Sequence, residues 1–413
     1  MMESSSLGEA VYPSGLRHTV RDDVRIPEKI GCDDPGFRFE AAGPRDMLFF
    51  NPKEVVAGIV TCGGLCPGLN NVIRSLFCEL HYGYGVAHVY GFRGGYAGLD
   101  PANGMEVIKL TPEEMEGIHR KGGTILGTSR GPVDIGRAVD HLIERGIKML
   151  FTVGGDGTQR GANALYQEAH RRGHTLSVVG VPKTIDNDVA YVSRTFGFFS
   201  AVEEAARVLD CAHTEARSTP GGIGLVKLMG RHAGFITAGA TVASQDVNFA
   251  LIPEVPFKLE AFLAALEKRM RKKSHAVIAV AEGAGQDLLE TDGAQRDASG
   301  NVKLKDIGVF LRGEIERHFK AVGLPIAIRY FDPSYQVRSR PANCEDSLLC
   351  DLYARNAVHA AMAGKTGVVI GFLHERFIHV PIELLASQQK RLDPHSGWWR
   401  SVLASTGQPD FSP

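Results

Sequence analysis

The chain has 413 residues, 44% hydrophobic and 23% charged, the make-up of an ordinary soluble globular protein long enough for two domains. Its 46 Lys and Arg against 47 Asp and Glu leave a formal charge of −1. That balance gives no support to broad binding to nucleic acid or to a membrane, so any anion must be met by a local basic site.

Residues 1 to about 50 are rich in Gly, Pro, Ser and charge, without periodicity, and read as a partly ordered extension. Met1 to Arg21 lacks a signal-peptide pattern, and no apolar run is long enough to span a bilayer. Val55 to Thr61 reads as a strand, CGGLCPGLN follows, and Asn70 to His81 has helical spacing. Ile147 to Val153 is the next strand, GGDGT its loop, and Arg160 to Arg172 a helix. Leu176 to Val181 is a further strand, ending in PKTIDND.

A second series starts near Ser200. Strands are expected at Gly222 to Met229, Phe249 to Ile252, His275 to Ala281 and Pro325 to Tyr330. Helices are expected from about Ala233, and at Phe257 to Lys272 and Asp306 to Val322. Gly285 to Lys305 is polar and reads as an exposed connection. Cys344 to Ala363 reads as a helix and Thr366 to Phe372 as a strand. Alternating strands and helices predict parallel sheets covered on both faces, with active loops at the carboxyl ends of the strands.

GGDGT (Gly154, Gly155, Asp156, Gly157, Thr158) lies between a strand and a helix, where glycines let backbone amides approach a phosphate and the helix start favours negative charge. A carboxylate there would repel phosphate unless a bridging Mg²⁺ accompanied it; the plainer reading of Asp156 is a helix cap. In PKTIDND, Asp186 and Asp188 can divide metal holding from proton transfer, while Lys183 and Thr184 face charge developing on a transferring phosphoryl group. The alternative is a polar turn. TCGGLCPGLN and GGTILGTSR, the latter ending in Arg130, are weaker phosphate-type loops. LMGRHAG carries Met229, Gly230 and Arg231. Tyr335, Arg338 and Arg340, with Arg329 upstream, have the composition of a sugar-phosphate site and equally of an ordinary surface. The seven cysteines are scattered and odd in number, as in reduced cytosol-type proteins. Cys62 and Cys66 find no second pair of zinc spacing.

In this order, the loops resemble the 6-phosphofructokinase family from about Val55 to Phe372, and within it the longer branch of plants and trypanosomatids, by PKTIDND, GIGLVKLMGRHAGF, DPSY and TGQP. The resemblance implies an α/β fold of two Rossmann-like domains with mainly parallel sheets and the active site in the cleft between them. Residues 51–197 plus 337–385 would form the ATP domain and 198–336 the sugar-phosphate domain, flanked by the extension 1–50 and a tail 386–413.

It also implies roles. Asp186 would be the general base toward the 1-hydroxyl of fructose 6-phosphate, and Asp156 with Asp188 would hold Mg²⁺. Gly64, Arg130, Thr158, Lys183 and Thr184 would bind or stabilise the transferring phosphate, with Gly154, Gly155 and Gly157 lining the ATP site. Thr184, Asp186, Asp188, Met229, Gly230, Arg231, Glu282, Tyr335 and Arg338 would hold the sugar phosphate. Arg329 would reach the 6-phosphate from a neighbouring subunit of a cytoplasmic homo-oligomer, dimer or tetramer. Gly157 favours ATP as donor, because a carboxylate at that position would collide with the α-phosphate, whereas Lys183 is shared with pyrophosphate enzymes. Only one arginine of the bacterial effector pair, Arg74, is kept. Competing readings are an NAD or lipid kinase, which share GGDGT but lack PKTIDND and MGR, a regulatory paralogue without turnover, and a non-catalytic sugar-binding protein.

Overall fold

A computed structural model describes residues 4–30, 34, 36–289, 304–385 and 388–412. The chain divides into two compact units. The first comprises Met1–Thr184, Val189–Gly197 and Ser339–Gln389, and the second Ile185–Asp188, Phe198–Arg338 and Lys390–Pro413.

Among the described residues, the first unit is built on a nine-stranded sheet. Its centre is parallel: Val368–Leu373, Ser177–Pro182, Met149–Gly154, Val56–Thr61 and His88–Phe92 lie side by side. Met149–Gly154 and Ser177–Pro182 are buried along their whole length, which explains why they appear in the sequence as unbroken apolar runs rather than alternating ones. The edges are antiparallel. Val107–Lys109 closes one side. On the other, Arg376–Pro381 turns back on Val368–Leu373, then pairs with Arg38–Ala41, which pairs with Arg25–Pro27. Part of the supposed extension is therefore sheet. A buried charge cluster fixes it there: Glu40 accepts from Arg45 and Lys365, each at 2.9 Å.

The second unit holds a four-stranded sheet in the order Phe249–Leu251, His275–Ala281, Gly222–Leu228, Ala327–Phe331, parallel throughout. Its core joins Leu225, Ile278 and Val280 of the strands to Phe262 and Leu266 of helix Leu259–Lys273 and to Leu311, Ile315 and Phe319 of helix Ile307–Ala321. Asp306 caps the latter helix by accepting from Val309 N at 3.1 Å, so the acid at the predicted start sits one residue outside it. Helix Phe198–Ser218, unmarked in the sequence beyond the start of a second series, packs under this sheet. Of the residues read as a tail, Lys390–Pro413 belong to this unit as well. Helix Gly397–Thr406 places Trp398 against Phe198 and Phe235, and Phe411 is buried against Phe249 and Phe262.

The predicted connection Gly285–Lys305 lies mostly outside the described residues, as do Cys32 and residues 386 and 387 of the tail. Among the described residues no helix is long and apolar enough to cross a membrane.

Candidate active site

On the first unit, strand Met149–Gly154 runs directly into helix Asp156–Arg171. This corrects the expected start at Arg160: Asp156, Gly157 and Thr158 already form the helix's first turn. The turn closes because Thr158 N and Gln159 N donate to Gly155 O at 2.8 and 3.0 Å. Gly155 has no side chain with which to cap the helix. Asp156 is the first-turn acid. Gly154 is required by space: a Cβ there would come within 2.6 Å of Thr158 Cγ2 and closer still to the rest of that side chain.

The end of the neighbouring strand Ser177–Pro182 is tied to this turn. Lys183 N donates to Gly154 O at 3.1 Å, and the buried Lys183 side chain donates from Nζ to Gly64 O at 2.8 Å. The Gly63–Gly64 loop is in turn held to the GGTILGTSR segment, with Gly63 N donating to Ser129 O at 3.2 Å and Thr128 Oγ1 to Gly63 O at 2.6 Å. Three glycine loops that are far apart in sequence thus meet around one lysine. Arg130, next along, is exposed. Thr195 Oγ1 donates to Thr184 O at 2.7 Å and fixes that residue's main chain.

Beyond Thr184 the chain passes into the second unit. The Asp186–Asp188 turn is held by Asn187, which adopts φ +54°, a left-handed conformation that Asn tolerates better than most residues. Asn187 is buried, and its Oδ1 accepts from Lys390 Nζ at 3.0 Å. Lys390 N donates to Asp188 O at 2.9 Å. The Lys390 ammonium also lies 5.2 Å from the Phe235 ring centroid. Burial lowers its pKa to about 7, against the pull of Asp188. Sequence reasoning missed Lys390, because nothing in QQKR distinguishes one basic residue from its neighbour.

In the same unit, strand Gly222–Leu228 ends just before Met229. Gly230 has φ +126°, and the turn is fastened to the next strand by Glu282 N donating to Leu228 O at 2.8 Å and Gly283 N to Gly230 O at 3.1 Å. This brings Glu282 beside Met229–Arg231. Burial raises the pKa of Glu282, with Arg231 and then Lys227 acting against it. The Arg338 guanidinium lies over the Tyr335 ring, 4.7 Å from its centroid. Arg329 is not brought to this group. It pairs with Gly224 in the middle of the strand rows, and its Nε lies 3.7 Å from Glu215 Oε2.

Residues 56–361 match the family model described as phosphofructokinase. The chain belongs to the phosphofructokinase family. Among its relatives, the ATP-dependent 6-phosphofructokinase of Borreliella burgdorferi is 46% identical, over 96% of this chain and 92% of that protein. The ATP-dependent 6-phosphofructokinase of Trypanosoma brucei brucei is 48% identical over 89% of this chain and 76% of that protein. A solved pyrophosphate-dependent phosphofructokinase from Marinobacter aquaeolei superposes with a TM-score of 0.71 at 21% identity, covering 87% of this chain and 93% of that one. The last shows a shared phosphofructokinase fold. Loops after parallel strands carry most of the residues singled out above, as expected of a fold that keeps its chemistry at the carboxyl ends of its strands.

Proposed function

We propose that the chain is an ATP-dependent 6-phosphofructokinase, transferring the γ-phosphoryl group of ATP to the 1-hydroxyl of fructose 6-phosphate to give fructose 1,6-bisphosphate and ADP. The observation that carries the residue assignment is the tie between Lys183 N and Gly154 O. It fastens Lys183, near the start of the PKTIDND loop, to the end of the strand that leads into GGDGT.

In the proposed mechanism the Asp186 carboxylate accepts the proton of the sugar 1-hydroxyl. The oxygen then forms its bond to the γ-phosphorus as the bond from that phosphorus to the β–γ bridging oxygen breaks, and ADP leaves with the electron pair. The Lys183 ammonium, the Arg130 guanidinium and the Thr184 hydroxyl face the charge that builds on the phosphoryl oxygens. Gly64, Gly154, Gly155, Gly157 and the side chain of Thr158 take the donor phosphates. Met229, Gly230, Arg231, Glu282, Tyr335 and Arg338 hold the sugar phosphate, with Glu282 accepting from its hydroxyls. Asp156, with Asp188, would hold a Mg²⁺ ion, which when bound supplies positive charge to the donor phosphates. No group of three or more acidic, His or Cys side chains stands ready for a metal among the described residues. A pair of carboxylates suits an ion that takes its remaining ligands from phosphate and water.

ATP is favoured over pyrophosphate by Gly157, which is exposed at the helix start with only Arg160 within reach of an added Cβ. The protein is also taken as a cytoplasmic homo-oligomer, in which Arg329 serves a neighbouring copy. The deciding experiment measures fructose 1,6-bisphosphate formation from fructose 6-phosphate with ATP and with pyrophosphate, each with Mg²⁺. Faster turnover with pyrophosphate overturns the assignment of donor, and turnover with neither overturns the function.

A further inference from the structure

Lys227 lies inside strand Gly222–Leu228, a strand buried from end to end. A lysine in that setting needs partners for its charge. It has two: Nζ lies 2.6 Å from Asp306 Oδ2 and 2.9 Å from Asp332 Oδ2. Each carboxylate also fixes something else. Asp306 caps helix Ile307–Ala321 through Val309 N and accepts from Tyr330 Oη at 3.2 Å. Asp332 accepts from the Ser334 main-chain N–H at 3.3 Å and from its hydroxyl, closing the turn that leads to Tyr335 and Arg338.

One ammonium therefore joins three chain segments. The first continues into Met229, Gly230 and Arg231. The second is the start of a helix. The third leaves strand Ala327–Phe331 and carries the Tyr335–Arg338 pair. Lys227 touches none of the atoms that react, yet residues assigned to the sugar phosphate lie on both sides of it.

We propose that Lys227 is a positioning residue of the fructose 6-phosphate site, holding Asp332, and through it the segment bearing Tyr335 and Arg338, in register with Met229–Arg231. This rests on the functional reading above, which places the sugar phosphate on those residues. A lysine that served only to fill and satisfy the strand would affect how much protein folds. A positioning lysine affects how well the folded protein takes one of its two substrates.

The charge of Lys227 has a second consequence. Glu282 is pushed toward its protonated form by burial and by Asp332, and is held ionised by Arg231, Lys227 and Arg338. Asp306 and Tyr330 complete the charged and titratable groups around the lysine. Removing the ammonium shifts Glu282 further toward protonation. The ionised form is the better acceptor for sugar hydroxyls, so affinity for the sugar phosphate should fail at a higher pH.

The test is steady-state kinetics of the full-length protein and of Lys227→Met, Lys227→Arg and Asp332→Asn, varying each substrate from pH 6 to 8 (about two units, centred near neutrality). In Lys227→Met the KM for fructose 6-phosphate should rise about tenfold while that for ATP stays within about twofold. The acid-side rise of that KM should begin at higher pH, and Lys227→Arg should recover most of the loss. Asp332→Asn keeps the Lys227–Asp306 pair, so it decides the matter should Lys227→Met fail to fold, and its KM for fructose 6-phosphate should also rise several-fold, about fivefold or more. Unchanged KM in the folded Lys227→Met variant, or in Asp332→Asn, overturns the proposal. Equal changes in both substrates do the same. If the wild type does not phosphorylate fructose 6-phosphate from ATP, the functional reading has failed instead.

Discussion

Gly154 and Gly157 are three residues apart in one motif, yet the structure assigns them opposite sensitivities. Gly157 is the second residue of helix Asp156–Arg171. A Cβ added there finds only a guanidinium nitrogen of Arg160, at 3.8 Å. In Gly157→Asp the new carboxylate sits in the first turn, where the helix dipole favours it by about 0.3–1 kcal/mol, and replacing a helical glycine adds some tenths more. The folded protein should be as stable as the wild type or more so, by up to about 1.4 kcal/mol. Donor use should collapse. A carboxylate about 4 Å from a donor phosphate costs roughly 4 kcal/mol at the effective dielectric of a protein surface, close to a thousandfold in kcat/KM for ATP.

Gly154→Ala should do the reverse. Its methyl group would overlap Thr158, and overpacking of this kind costs about 1–3 kcal/mol. Urea unfolding gives the stabilities, and a coupled assay with ATP and with pyrophosphate gives the activities. The reasoning is refuted if folded Gly157→Asp keeps more than about a tenth of the wild-type kcat/KM for ATP, or if it is the less stable of the two variants.

Other expectations follow from the same geometry. Asp186→Ser should lose turnover by about a thousandfold or more while still binding fructose 6-phosphate by calorimetry, since it removes the proposed proton acceptor and little else; near-normal turnover would mean the base lies elsewhere. Lys390→Met should lower kcat about tenfold with smaller changes in either KM, because the Asn187 turn loses its tether; an unchanged kcat would reduce Lys390 to a structural role. His359 is held down to about 4 by burial, and by Arg355 and Arg45. Its folded value lies below its unfolded one, so it costs nothing above about pH 6.5 and lowers stability by up to about 1.4 kcal/mol per pH unit between 6.5 and 4. His359→Gln should lose less stability between pH 7 and 5 than the wild type (about two units of acidification), measured by urea midpoints; equal losses would show that other groups govern the acid side.

How much of this was legible in the sequence depends on whether the signal was local. Met149–Gly154, Ser177–Pro182 and Gly222–Leu228 are central strands covered on both faces, so burial writes them as apolar runs whose ends carry glycine or acid. Those ends are the motifs, and the motifs were found. The antiparallel edge strands Arg25–Pro27 and Arg38–Ala41 are three and four residues long, too short to show a period. What holds them in place is a charge set drawn from residues 40, 45 and 365, a pairing no window of sequence contains. Helix Asp156–Arg171 begins four residues before the apolar spacing does, because Gly155, Asp156 and Gly157 have no apolar side chain with which to announce a turn.

The site divides along the same line. Gly154, Asp156, Lys183 and Asp186 stand inside motifs. Lys390 and Lys227 do not, although each is fastened to a motif by hydrogen bonds or ion pairs from another part of the chain. Lys227 nonetheless left a mark in GIGLVKLMG: a lone cation in a run otherwise apolar enough to be a buried strand. Burying an ammonium without compensation costs several kcal/mol, so a cation in such a run implies carboxylates elsewhere in the chain. The sequence can announce that demand without saying which of its 47 acids meet it. The fold answers with Asp306 and Asp332. Since Asp332 belongs to the same DPSY segment as Tyr335, the answer also links a requirement of the core to the placement of side chains proposed to bind the sugar phosphate.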